Sequence, residues 1–111
     1  MNAFSYMNID GNGYRNKIDI YDLNVEITGH GAWQKVGRSI QESAIYMTVE
    51  KGFDDIKELF NGERFLLIDT DLMHTVIGAV YFYGTEIVVE VITVVNSIEP
   101  TNPKGTPEFY V

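Results

Sequence analysis

The sequence predicts an α+β domain: an antiparallel sheet with an N-terminal strand or hairpin, two helices, then a three-stranded C-terminal meander. Three observations predict it. Apolar residues near the N-terminus alternate with period two around glycine-rich turns. Over residues 33–60 the apolar spacing changes to three and four. Three runs rich in β-branched residues then follow, separated by short polar breaks. The 111 residues, 45% of them apolar, suit one domain with one core. Its expected limits are 1–98, followed by an extended tail over 99–111 that holds all three prolines and cannot join a ladder regularly.

The first element is a hairpin. Phe4, Tyr6 and Met7 precede Asp10-Gly11-Asn12-Gly13, whose two dipeptides favour the positive φ angles of tight turns. From residue 17 to 28, Ile18 and Ile20 alternate, and so do Leu23, Val25 and Ile27, but the phase slips between the two groups. A bulge near Tyr21-Asp22 would absorb the slip. Trp33, Val36, Ile40, Ala44 and Met47 have helical spacing, although Ile45, Met47 and Val49 also fit a strand. Gly52 ends this element. Phe53, Ile56, Leu59 and Phe60 give a short second helix, with Asp54 and Asp55 at its favourable start and Asn61-Gly62 as its stop. The strands of the meander span 65–68, 75–83 and 86–95, with Gly84-Thr85 as a two-residue turn. Residues 87–95 are apolar on both faces, which predicts a central strand covered by helix.

Composition excludes several functions. Without cysteine there is no disulfide framework, thiolate metal site or thiol nucleophile. That usage is compatible with a cytoplasmic location. Met1 to Ile9 carry no basic segment or long apolar run, so no leader is expected. The most apolar stretch, 75–95, is broken by Gly84, Thr85 and Glu86, so no membrane helix is expected either. A net charge of −8 disfavours nucleic acid and anionic lipid as partners. Only residues 30–49 are net positive, residues 72–85 carry no charge, and 50–71 hold seven acids against three bases.

Three constellations could carry chemistry. Asn8, Asp10, Asn12, Gly13, Asn16 and Asp19 occupy the spacing of a calcium loop, but Arg15 fills a position that is normally apolar, and Asp19 replaces the long bidentate Glu. A turn-rich hairpin tip accounts for the same residues, and no cofactor is expected. His30 and Arg38 fall two turns apart if a helix starts near His30. An imidazole for acid–base work and a guanidinium for a phosphate would suit RNA cleavage through a 2′-hydroxyl. Asp54, Asp55, Glu58, Glu63, Asp69 and Asp71 form an acidic cluster. Asp69 and Asp71 would share one face of a continuing strand. Paired carboxylates could bind a divalent ion or do acid–base chemistry, but such a cluster is more often a solvated face, and a third use is a surface for a basic partner. His74, alone at a strand start, reads as structural or exposed.

The element order, Ile27-Thr28-Gly29-His30-Gly31 with Arg38, Lys51-Gly52-Phe53, Asp54-Asp55-Ile56, Asn61-Gly62-Glu63 and Val91-Ile92-Thr93 resemble the RelE-like RNA-cleaving toxins. These belong to the barnase/EndoU/colicin/RelE superfamily, and the resemblance covers residues 25–96. It implies a ribonuclease with His30 as acid/base, Arg38 as phosphate contact and Thr93 as a polar contact in the cleft. Trp33 and Gln34 depart from the pattern, standing where a helix arginine belongs, and residues 50–71 are acidic. The charge and the lack of a complete catalytic set favour the other reading. In that reading the chain is expected to be a non-enzymatic module that neutralises a basic protein, as an immunity protein, antitoxin or phage counter-defence factor does.

Overall fold

The computed structural model of the chain describes residues 13–27 and 42–111. Strands β1 (Gly13–Ile18) and β2 (Tyr21–Ile27) pair antiparallel, with Gly13 opposite Glu26 and Ile18 opposite Tyr21. Asp19-Ile20 is therefore a two-residue turn. Asp19 takes φ 56°, a left-handed conformation that aspartate tolerates better than most residues. The turn explains the phase slip between Ile20 and Leu23: the chain reverses there, and β1 and β2 pair without a bulge. Asp10 to Asn12, where the turn was expected, lie outside the described residues.

Helix α1 (Glu42–Lys51) resolves the competing readings of 45–49 as helix. It carries an acid in its first turn and a base in its last, each matching the helix dipole. Ile45, Tyr46, Thr48 and Val49 are buried at helical spacing. Gly52 closes it by donating its N–H to the Thr48 carbonyl at 3.1 Å. It also opens the single turn α2 (Phe53–Ile56) by accepting from Ile56 N at 3.0 Å.

Four more strands follow: β3 (Arg64–Asp69), β4 (His74–Tyr83), β5 (Glu86–Val95) and β6 (Glu108–Tyr110). All six form one sheet in the order β1-β2-β5-β4-β3-β6. The expected antiparallel sheet with a separate C-terminal meander is incorrect, because the sheet is mixed. β2 runs parallel to β5, from Asp22 beside Glu86 to Ile27 beside Val91, and β3 runs parallel to β6. The physical reason is packing. Joining β2 to β5 aligns Leu23, Val25 and Ile27 with Ile87, Val89 and Val91 in one apolar surface. The prolines do not prevent β6 from forming: Pro107 uses only its carbonyl, which accepts from Leu66 N at 2.9 Å.

The inner face of the sheet is the core. Tyr14, Leu23, Val25, Ile87, Val89, Val76, Val80, Phe65 and Leu67 meet Ile45, Tyr46, Val49, Phe53 and Ile56 of the helices. Burying each large apolar side chain contributes about 1.5–3 kcal/mol. The outer face is different. Residues 97–106 cross its β3–β4 part, where Thr75 Oγ1 donates to the Ser97 carbonyl at 2.7 Å. Among the described residues, no helix is long and apolar enough to cross a membrane.

Candidate functional site

Strand alternation places four carboxylates on the outer face. Asp22 precedes the core residue Leu23, and Glu26 lies between Val25 and Ile27. Glu86 precedes Ile87, and Glu90 lies between Val89 and Val91. The parallel register sets Asp22 directly beside Glu86 and Glu26 directly beside Glu90. Like charges opposite one another on adjacent strands are destabilising. Asp22 and Glu26 are exposed, and Glu86 and Glu90 are half-buried. No ion pair within 4.0 Å joins any of them to another described residue. Lys17 lies opposite Asp22 and Arg15 opposite Asn24 in the β1–β2 register. A cavity of about 370 Å³ there is lined by Arg15, Lys17, Asp22 and Glu86 among others, so its charges are of both signs. Next along the face come Tyr81, half-buried, and Tyr83, 62% exposed.

The acids expected to form a cluster are dispersed. Asp54, Asp55 and Glu58 are exposed around α2, and Lys57 pairs with Asp54 at 3.2 Å. Glu63 caps Phe60 N through Oε1 at 2.9 Å. Asp71 is exposed in the β3–β4 connection, but Asp69 is fully buried. The strand ends at Asp69, so the two do not share a face.

Asp69 belongs instead to a buried polar group under α1. Its Oδ2 accepts from Thr48 Oγ1 at 2.7 Å and pairs with Lys51 Nζ at 2.7 Å. Its Oδ1 accepts from Asp71 N and Leu72 N at 3.1 and 3.0 Å. His74 Nε2 lies 2.7 Å from the same Thr48 oxygen. The hydroxyl has one hydrogen and two acceptors in reach, Asp69 and, at 3.0 Å, the Ala44 carbonyl. The nearer, charged acceptor takes the hydrogen, and His74 donates from Nε2. Burial holds His74 below the usual imidazole range; nearby Asp69 opposes this and Lys51 adds to it. Burial pushes Asp69 up, but the Lys51 ammonium, the Leu72 N–H and the Thr48 hydroxyl outweigh it, leaving the carboxyl below its usual range.

An activated nucleophile would instead give its hydrogen to the imidazole, with a carboxylate on the far side of that ring. Here Thr48 and Asp69 have no exposed surface and His74 is 2% exposed, so no substrate reaches them. The group fastens α1 to the β3–β4 hairpin. Sequence reasoning missed it because its members lie on three elements, and only their pairing brings them together.

His30 and Arg38 lie outside the described residues. Thr93 is half-buried and alternates with the core residue Val94, so it belongs to the outer face, opposite Ile77. Of the proposed calcium ligands, Asn8, Asp10 and Asn12 lie outside the described residues. Asn16 donates from Nδ2 to Glu50 at 2.7 Å, and Asp19 forms the hairpin turn. Among the described residues no three His, Cys, Asp or Glu side chains are grouped to hold a metal.

These features define a mixed-sheet domain whose outer face carries two like-charged carboxylate pairs on β2 and β5, with basic residues to either side on β1 and β3. Compared with protein-family models, curated proteins and solved structures, the chain matches none.

Proposed function

We propose that this chain is a non-enzymatic binding module that neutralises a basic protein, in the manner of an immunity protein, antitoxin or phage counter-defence factor. One observation carries the reading: Asp22 beside Glu86 and Glu26 beside Glu90 on one sheet face. Each like-charged pair costs the free protein a few tenths of a kcal/mol, up to about 1 kcal/mol. A cationic surface laid on the face would reverse that sign and speed encounter. Tyr81 and Tyr83 supply the aromatic contact area that interfaces favour. Asp54, Asp55 and Glu58 extend the negative field along another side of the molecule.

Immobilised protein should retain a partner of high isoelectric point, and capture should weaken steeply with added salt. Glu86→Lys with Glu90→Lys should abolish capture, while Asp54→Lys with Asp55→Lys and Glu58→Lys should weaken it less. A partner that is neutral or acidic, or one held equally at low and high salt by both variants, would rule the reading out.

A further inference from the structure

We propose that the cavity of about 360 Å³ between the outer face of β3–β4 and the 101–106 loop binds a small organic anion: a carboxylate or phosphate on a compact apolar body. It is lined by Arg64, Lys104, Leu66, Ile77, Thr101 and Pro103, among others, and no acidic side chain contributes to its wall.

The charge around this cavity favours an anion. The described residues include six bases. Lys51 and Lys57 are paired with Asp69 and Asp54, and Arg15 and Lys17 share their cavity with Asp22 and Glu86. Arg64 and Lys104 are the two that meet at a cavity without a counter-ion, and neither has an ion pair within 4.0 Å among the described residues. Two of the three neighbouring acids are engaged elsewhere. Glu63 accepts from Phe60 N, and Glu108 accepts from Asn102 Nδ2 at 2.6 Å. Glu90 shares the row of Arg64 across Ala79 and is the acid that competes with a ligand for it. Two cations converging on one pocket of a protein with net charge −8 provide a local site for an anion, with the Arg64 guanidinium able to hold two oxygens at once.

The shape of the cavity suits a compact apolar body. Leu66 is 4% exposed and, with Ile77 and Pro103, gives the pocket apolar surface. The loop that forms its wall is built in advance. Asn102 Oδ1 accepts from Thr106 N at 3.0 Å and its Nδ2 donates to the Thr106 carbonyl at 2.7 Å. Gly105 takes φ 65° to complete the turn. A wall fixed before binding spares the ligand the cost of ordering it. The volume is at the small end of ligand cavities, which run from about 300 to 1,000 Å³. None of the lining residues is one of the four carboxylates on β2 and β5, and the variants tested differ, so either proposal can fail without the other.

The test is an amide-shift titration of the full chain with phenyl phosphate, benzoate and inorganic phosphate. Phenyl phosphate or benzoate should give saturable shifts at Leu66, Ile77 and Lys104, with inorganic phosphate binding more weakly because it lacks an apolar body. Arg64→Gln and Lys104→Gln, both on exposed residues, should each weaken binding about tenfold. Arg15→Gln with Lys17→Gln serves as the charge control and should leave binding unchanged. Shifts that never saturate, inorganic phosphate binding as tightly as phenyl phosphate, or an equal loss in the control would overturn the proposal.

Discussion

Thr48 stands 2.7 Å from both Asp69 and His74, so its single hydroxyl joins helix to hairpin. Thr48→Val keeps the shape but leaves Asp69 and His74 each short of a partner; it should cost about 1–3 kcal/mol in urea unfolding. The group also has a pH signature. His74 lies below the usual imidazole range, so the unfolded chain takes up a proton that the folded chain resists. The stability His74 contributes is complete above about pH 6.5 and declines as pH falls below it. Asp69 has the opposite charge and a lowered range. Its contribution holds above about pH 3.9 and is lost as pH falls further. Urea midpoints should therefore fall in two stages on acidification, the first absent in His74→Gln and the second reduced in Asp69→Asn. Little of this was legible in the sequence. A strand beginning at a histidine and ending at an aspartate says nothing about which helix covers them, and Asp69 looks like any other member of an acidic segment.

At the scale of elements, strands were legible where side-chain composition and period decided them, as in β4 and β5, whereas the residues of α1 fit helix and strand alike. The hairpin turn was harder to see. Asp19-Ile20 lacks glycine, and only pairing distinguishes a reversal from a bulge at such a slip. A true irregularity occurs elsewhere, between Ile77 and Gly78, where β4 shifts register against β5. At Gly78 a Cβ would stand 2.7 Å from the Glu90 carbonyl and 3.0 Å from the Phe65 ring. A backbone carbonyl held in a ladder cannot withdraw as a side-chain tip can. Gly78→Ala should thus cost about 1–3 kcal/mol, read as a lowered denaturation midpoint. Strand β6 covers the β3 edge, and Phe109 packs against the core. Removing residues 108–111 should bare that edge, and light scattering should then report self-association.

For the whole molecule, the sequence carried the composition and charge but not the sheet order. Period-two alternation is the same for a parallel and an antiparallel neighbour, so nothing in Leu23, Val25 and Ile27 announces Ile87, Val89 and Val91 as their companions. The paired carboxylates were hidden for the same reason. Asp22 and Glu26 are four apart, as are Glu86 and Glu90, but they form two like-charged pairs only once the strands are side by side. Salt screens such repulsion within about 10 Å at 0.1 M. The free protein should accordingly gain thermal stability between low and moderate salt, and Glu86→Gln with Glu90→Gln should be more stable than the natural sequence and less responsive to salt.

The β2–β5 seam also bears on how the chain reaches this state. The β1–β2 hairpin closes over a few residues, and short turns join β3 to β4 and β4 to β5. The seam instead brings position 22 to position 86, so loop-closure entropy opposes it until both halves exist. Docking of the two halves is then the late event. Val25→Ala at the seam should chiefly accelerate unfolding, while Val80→Ala, inside the β4–β5 pair, should chiefly slow refolding.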